Sequence, residues 1–165
     1  MGKDAFVQTA KLVLFSHGPF SQWHPSVFKH EGLEFNCCEQ WMMYQKARLF
    51  GDEASQAKVM ASKSPREQKA LGRKVSPFRP REWEAACDAI VFEGNWLKFT
   101  QNGELGERLL ATEERVIAEA SPWDKVWGIG LGAWHKDAQE PSKWKGSNRL
   151  GKALMRVREK LRQIK

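Results

Sequence analysis

Helix-start signals follow one another through the middle of this sequence and leave only short segments for strands. Asn36, Asp52, Ser64-Pro65 and Pro80 each place a side-chain acceptor or a proline where the first turn of a helix favours it. The predicted helices cover residues 37–50, 53–61, 65–72 and 80–101. Glu39 stands three residues after Asn36, the spacing of a capping box, so the first helix has a purely structural use for this carboxylate.

Strand signals are short and lie mostly near the two ends of the chain. Residues 11–15, 33–35, 116–119 and 126–129 have strand character, and a short helix is predicted at 104–111. A final helix begins near Asn148 and carries a packing stripe formed by Leu150, Leu154, Val157 and Leu161. The 165 residues are enough for one hydrophobic core. We therefore expect one α+β domain, 1–165, mainly helical, with its core at about 11–162.

Positive charge is concentrated at the C-terminal end. The formal net charge is +7, and residues 143–165 hold nine Lys or Arg against one acid, Glu159, which gives 9 − 1 = +8. A basic helix of this kind suits phosphate groups, so contact with nucleic acid through it is one expectation. A solvated helix face is the alternative.

The three cysteines, Cys37, Cys38 and Cys87, are odd in number and two are adjacent, so they predict no disulfide framework. This usage favours a reducing compartment, and we expect a cytoplasmic or otherwise intracellular protein. The four histidines have no metal-ligand spacing, and we expect neither a metal nor another cofactor. No apolar run of about 18 residues predicts a membrane span.

Three segments have the residue types of a reactive site. On a helix, Glu39, Met43 and Lys46 share one face, and burial there would raise the pKa of the acid and lower that of the amine. Asp124 lies in a turn that we expect Trp123 and Trp127 to enclose, beside Gly128. The third segment, residues 144–151, contains Gly146 and Asn148 and leads into the basic helix, whose N-terminus would favour phosphate.

Taken together, the ordered motifs resemble the NADAR family, also called the YbiA-like family, over nearly the whole chain. The motifs are Phe15-Ser16, Phe20-Ser21-x-Trp23, the run from Glu39 to Ala47, Leu71-Gly-Arg73, Trp83, Lys98-Phe99, Glu119-Ala-Ser-Pro-x-Asp124, Trp127-Gly-Ile-Gly130 and Gly146-x-Asn148-x-Leu-Gly151. Two positions depart from the family pattern: Gln40 stands where His is usual after the Glu, and Trp23 where Phe is commoner.

The resemblance implies an N-glycosidase, a hydrolase that cuts the bond between ribose C1 and an exocyclic base amine. It implies two substrate classes: ADP-ribose on guanine, in DNA or as a nucleoside, and the ribosylaminopyrimidine phosphates of riboflavin synthesis. The first would make the protein an enzyme of DNA ADP-ribosylation reversal. A module that binds ADP-ribose or NAD without turnover is the third alternative.

By motif position, the resemblance assigns catalysis to Glu39 and Asp124, and it places Lys46 in the family's helical segment. We expect substrate contacts from Ser21, Trp23, Trp83, Trp127, Gly128, Gly146 and Asn148. Two mechanisms remain open. Either two carboxylates divide acid and base roles while water attacks directly, or Lys46 displaces the base through an imine with the opened sugar.

Overall fold

The computed structural model describes residues 5–165, which contain six α-helices, five short strands and one 3-10 helix. The strands are β1 (Phe6–Gln8), β2 (Leu12–Phe15), β3 (Phe28–His30), β4 (Leu33–Phe35) and β5 (Val116–Glu119). The helices are α1 (Cys38–Leu49), α2 (Glu53–Ala61), α3 (Pro65–Gly72), α4 (Pro80–Gln101), α5 (Gly103–Leu110) and α6 (Arg149–Ile164). The 3-10 helix is Pro141–Lys143. The mainly helical α+β class is confirmed.

The chain divides into two compact units. One is the continuous segment Pro25–Asn102, with β3, β4 and α1–α4, and the other joins the chain up to His24 with Gly103–Lys165. The expectation of one domain over 1–165 stays a prediction, and its first four residues lie outside the described part of the chain.

The unit Pro25–Asn102 is organised around α1. Trp41 is 1% exposed and packs against the stacked rings of Phe28 and Phe35, while its indole N–H donates to the Ile90 carbonyl at 2.9 Å. Gly94 of α4 lies against this indole, so that an added Cβ would stand 2.5 Å from Trp41 Cδ1. The absence of a side chain at Gly94 therefore allows α1 and α4 to pack closely.

The other unit contains a three-stranded sheet in the order β1-β2-β5, with β2 antiparallel to β1 and parallel to β5. All four residues of β2 are buried, as expected for a central strand. The apolar stripe of α6 covers the sheet beside β5. Its four members, Leu150, Leu154, Val157 and Leu161, are at most 3% exposed, which confirms that prediction.

The other predicted strands and helix caps show where the local sequence pattern was sufficient to predict the structure and where it was not. The predicted strand at 126–129 is wrong: the Ile129 N–H makes one bond, to the Glu119 carbonyl at the end of β5, and the next residue, Gly130, has a left-handed φ of 73° that ends extended backbone. β1 and β3 were not predicted, because segments of three residues are too short to show a period. Asp52 and Ser64 do cap α2 and α3 as predicted, by accepting from the N–H groups of Ser55 and Glu67.

Between β5 and α6 runs a long irregular segment, residues 120–148, which we term the β5–α6 segment. Five of its apolar residues, Ala120, Ile129, Leu131, Ala133 and Ala138, are buried in one cluster with Leu14 of β2. Its backbone is tied together by hydrogen bonds, including those from the N–H groups of Lys145 and Gly146 to the Ile129 carbonyl. The segment is therefore a packed part of the fold despite its lack of regular structure.

The basic end of the chain is only partly available to a ligand. Arg158 is 6% exposed, and its guanidinium donates to Thr112 Oγ1 at 2.9 Å and to the Arg115 carbonyl at 2.8 Å. Arg162 bonds the Glu113 carbonyl and pairs with Glu114 at 2.8 Å. These two cations are used within the fold, and contact of the basic helix with nucleic acid stays a prediction. No helix among residues 5–165 has the length and apolar character to span a membrane.

Candidate active site

Glu39 lies in the first turn of α1 and is only 6% exposed. The predicted cap is wrong: the N-cap residue is Cys37, and no side chain caps it. The Asn36 N–H instead donates to the side-chain oxygen of Gln40 at 2.7 Å, and the Asn36 amide bonds Ser62 and Gln68. Helix capping therefore does not account for a buried carboxylate at Glu39.

Two turns further along α1, the ammonium of Lys46 lies over two aromatic rings. Its Nζ is 4.7 Å from the centroid of Phe78 and 5.5 Å from that of Trp83, within the range of cation–π attraction. Burial lowers the pKa of Lys46, the charge of Glu39 opposes this shift, and that of Arg73 reinforces it. A larger share of the amine is therefore neutral than in an exposed lysine, and the neutral form is the nucleophile.

The aromatic wall is positioned by the turn before α4. Phe50 at the end of α1 meets Phe78 edge-on, with ring centroids 5.4 Å apart, and the Arg79 guanidinium lies over Phe50. Asp52, the cap of α2, also accepts from the Ser76 N–H at 3.0 Å and so fixes the segment that carries Phe78. Sequence reasoning missed Phe78, because nothing in the local pattern marks a loop phenylalanine as the neighbour of a lysine on another helix.

A second lysine of this unit, Lys98, is completely buried, and sequence reasoning assigned it no role. Burial lowers its pKa, and the nearby thiols oppose that shift. Burial, with a smaller contribution from the charge of Glu39, also raises the pKa of Cys37 to about 11 and that of Cys38 to about 12. The spacing of Cys87, Val91 and Lys98 along α4 was the available signal, since it places Lys98 on the buried face.

In the other unit, Asp124 organises a turn of the β5–α6 segment. Its Oδ1 accepts from the N–H groups of Val126 and Trp127 at 2.9 and 2.8 Å, and its carbonyl accepts from Gly130 at 3.1 Å. The expectation that Trp123 encloses Asp124 is wrong, because Trp123 is 93% exposed. Trp127 is half-buried, and the Arg149 guanidinium lies 5.1 Å from its ring centroid.

Gly128, Gly146 and Asn148 of this unit are packed closely against neighbouring backbone. A Cβ on Gly146 would overlap the Gly128 carbonyl oxygen, and one on Gly128 would stand 2.9 Å from the Asp124 carbonyl oxygen. Asn148 is 3% exposed and bridges to β5, donating to Ile117 and accepting from the Glu119 N–H. The contact of these residues with substrate stays a prediction.

Ser21 and Trp23 lie on the loop that follows β2. The buried hydroxyl of Ser21 accepts from the Trp23 N–H at 3.1 Å, and this bond turns the chain so that Trp23 is 38% exposed. The two residues are thus close to each other in the structure, as their motif requires, and their binding role also stays a prediction.

The structure therefore groups the predicted residues in two sets. Glu39, Lys46 and Trp83 are near one another in the unit Pro25–Asn102. The second unit contains Ser21, Trp23, Asp124, Trp127, Gly128, Gly146 and Asn148. Among residues 5–165, no group of three or more His, Cys, Asp or Glu side chains is placed to hold a metal ion.

This combination of α+β fold and acid–lysine pair agrees with the family comparison: the NADAR domain matches residues 6–162, and the chain belongs to the NADAR family. The chain is 44% identical to N-glycosidase R617 of Acanthamoeba polyphaga mimivirus, over 95% of this chain and 100% of that protein. It is 30% identical to N-glycosidase YbiA of Escherichia coli strain K12, over 88% of this chain and 82% of that one. The NMR structure of E. coli YbiA matches with a TM-score of 0.78 and 28% identity, covering 96% and 89% of the two chains.

Proposed function

We propose that this protein is an N-glycosidase that hydrolyses the bond between ribose C1 and an exocyclic amine of a base. Two relatives that it matches over most of their length, at 44% and 30% identity, are named N-glycosidases. The observation that carries the proposal is the amine of Lys46, held over Phe78 and Trp83 with a lowered pKa close to the carboxylate of Glu39.

The linkage between C1 and an exocyclic amine is open to attack by a second amine. Ring opening breaks the bond from C1 to the ring oxygen, which takes a proton and becomes a hydroxyl, while the lone pair of the base nitrogen forms the second bond of a protonated imine with C1. Neutral Lys46 adds to C1, and the bond from C1 to the base nitrogen breaks as that nitrogen takes a proton. Water then adds to the Lys46 imine, which frees the sugar aldehyde and restores the amine.

Glu39 has the position for the proton transfers of this route. It lies near Lys46 on the same helix and is nearly excluded from water. In its carboxylic acid form it can supply the proton that the departing base amine needs, and in its carboxylate form it can accept one from the attacking water. In the competing route, two carboxylates divide these tasks while water attacks directly, and Lys46 forms no bond to the sugar.

Of the two substrate classes, we propose ADP-ribose on guanine. Its diphosphate carries more negative charge than the monophosphate of a riboflavin intermediate, which suits a chain with a formal net charge of +7. Phe78 and Trp83 offer aromatic faces to the base or ribose. A binding module without turnover would gain little from a buried carboxylate beside a lysine of lowered pKa.

The test measures base release from three substrates: ADP-ribosylated guanosine, a single-stranded oligonucleotide with the same modified guanine, and a ribosylaminopyrimidine phosphate. We expect faster release from the two guanine substrates. Faster release from the pyrimidine would overturn the substrate proposal, and binding of all three without release would overturn the enzyme proposal.

Borohydride added during turnover tests the mechanism. We expect a trapped adduct on the peptide that contains Lys46, with the mass of the released sugar phosphate. Lys46→Arg keeps the charge over the two rings, yet its guanidinium stays protonated and forms no imine, so it serves as the matched control. An active Arg variant, or rapid turnover with no adduct, would leave direct water attack as the route.

A further inference from the structure

Two tryptophans of the β5–α6 segment project into solvent. Trp123 is 93% exposed and Trp134 is 74% exposed. A third tryptophan of the segment, Trp144, is partly buried, and its indole N–H donates to the Ala138 carbonyl at 2.8 Å. Indole is the largest side chain that stacks on flat ligands, and large exposed apolar surface commonly marks an interaction site. Trp123 and Trp134 contribute little to the packing of the fold, so their exposure points to a partner.

Both tryptophans project from backbone that is held in place. The Gly130 N–H donates to the Asp124 carbonyl at 3.1 Å, and this bond joins the turn that carries Trp123 to the residues that lead to the turn of Trp134. Trp134 follows Gly130 by four positions, so chain length alone keeps the two tryptophan Cα atoms within about 25 Å. Several nucleotides of a single strand cover that distance, given binding sites of roughly 4–16 nucleotides on comparable surfaces.

The same segment carries cations that the fold does not neutralise. Lys125, Lys136 and Lys145 are exposed, and none makes an ion pair with any residue in the described range 5–165. Lys143, by contrast, pairs with Asp137 at 3.7 Å and with Glu140 at 3.2 Å. Unpaired lysines next to exposed aromatic rings match a partner with both negative charge and flat faces.

We propose that the β5–α6 segment binds single-stranded nucleic acid, with bases stacked on Trp123 and Trp134 and phosphates near Lys125, Lys136 and Lys145. A duplex hides its base faces within the stack, so this arrangement selects single strands. The inference rests on the proposed function and deepens it: the modified guanine is presented within a polynucleotide. It also gives nucleic acid a second candidate contact besides the basic C-terminal helix.

The experiment measures the Kd of an unmodified, fluorescein-labelled single strand of about 16 nucleotides by anisotropy. We expect the double variant Trp123→Ala with Trp134→Ala to raise the Kd by about tenfold or more, because the stacking of bases on indole is removed. Trp123→Phe with Trp134→Phe keeps aromatic faces and should stay within about threefold of the parent protein. A duplex of the same sequence should bind at least about tenfold more weakly than the single strand.

The lysines are tested by the salt dependence of the same Kd. Lys136→Ala with Lys145→Ala should reduce the slope of log K against log salt by about 1.4, or about 0.7 for each phosphate that no longer meets a lysine. Lys58→Ala with Lys63→Ala removes the same charge from exposed positions of the other unit and should leave the slope nearly unchanged. Equal effects of the two pairs on the slope would mean that Lys136 and Lys145 act only through the net charge of the protein. That result would overturn this part of the proposal.

Unchanged affinity in the Trp→Ala pair would overturn the proposal. A second result would also overturn it: the protein binds vesicles of anionic lipid through the two tryptophans but does not bind the oligonucleotide. The surface would then be a membrane contact. Since the oligonucleotide is unmodified, this result is independent of the glycosidase. Failure of the proposed function would instead appear as absence of base release from the free nucleoside, which has no neighbouring bases to stack on Trp123 and Trp134.

Discussion

The side-chain oxygen of Gln40 accepts a hydrogen bond from the Asn36 N–H at 2.7 Å. Gln40 stands three positions after the N-cap residue Cys37 and reaches back to the N–H one residue before the cap, a contact related to that of a capping box. Its amide also donates to the carbonyls of Val59 and Ser62. The structural contacts at the start of α1 are therefore made by Gln40 and not by a capping contact of Glu39.

This division of labour predicts opposite phenotypes for two neighbouring residues. Glu39→Gln should lower base release by about 10²–10⁴-fold, the range for a general acid or base, with little change in thermal stability. Gln40→Ala should lower the free energy of unfolding by about 1–3 kcal/mol, because it leaves buried backbone groups without partners. Rates and thermal melts of both variants provide the check. A stable Gln40→Ala protein would show that the hydrogen bonds of Gln40 contribute little.

The pKa of Lys46 gives a prediction whose sign can be worked out. Its amine reacts only when neutral, so its rate of labelling by an amine reagent should rise with pH through its pKa. Glu39→Gln removes a negative charge that favours the ammonium and should move this rise to lower pH. Arg73→Gln removes a repelling positive charge and should move it to higher pH.

Peptide mass spectrometry can follow the labelling of Lys46 across a pH series, with the exposed Lys63 as an internal reference in the same sample. Shifts of the same sign in the two variants would contradict the electrostatic account, since the two charges oppose each other.

For Asp124, one substitution separates the turn from the chemistry. Asp124→Asn retains an oxygen that can accept from the Val126 and Trp127 N–H groups, so the turn should survive while base release falls by about 10²–10⁴-fold. Asp124→Ala removes both hydrogen bonds and should also destabilise the protein by about 1–3 kcal/mol. Near-normal base release by the Asn variant at saturating substrate would mean that Asp124 only builds its turn.

Two glycines of the β5–α6 segment offer a matched test of packing. Gly146→Ala should destabilise the protein by about 1–3 kcal/mol or more, because the added methyl would overlap the Gly128 carbonyl oxygen. Gly132→Ala meets nothing within 4 Å and needs no positive φ, so it should be nearly neutral. Chemical denaturation of the two variants makes the comparison, and similar midpoints would show that the segment can relax around Gly146.

The sequence predicted what depends on local chemistry. The caps at Asp52 and Ser64 and the buried stripe of α6 follow from near neighbours, and the structure has them. It could not predict what depends on distant segments. The cap at Asn36 failed because Ser62 and Gln68 compete for the side chain. For the site, the helical spacing of Glu39 and Lys46 was sufficient to pair them, whereas Phe78 comes from a turn more than thirty residues away.

The β5–α6 segment divides its residues between two kinds of task. Gly128, Gly146 and Asn148 are held by close backbone approaches and by bonds to β5, so almost any replacement would disturb the fold. Trp123 and Trp134 stand outside that framework. A chain built in this way can exchange its solvent-facing side chains at little cost in stability. The segment is therefore a natural starting point for engineering altered ligand preference, with the glycines and Asn148 kept constant and the two tryptophan positions randomised.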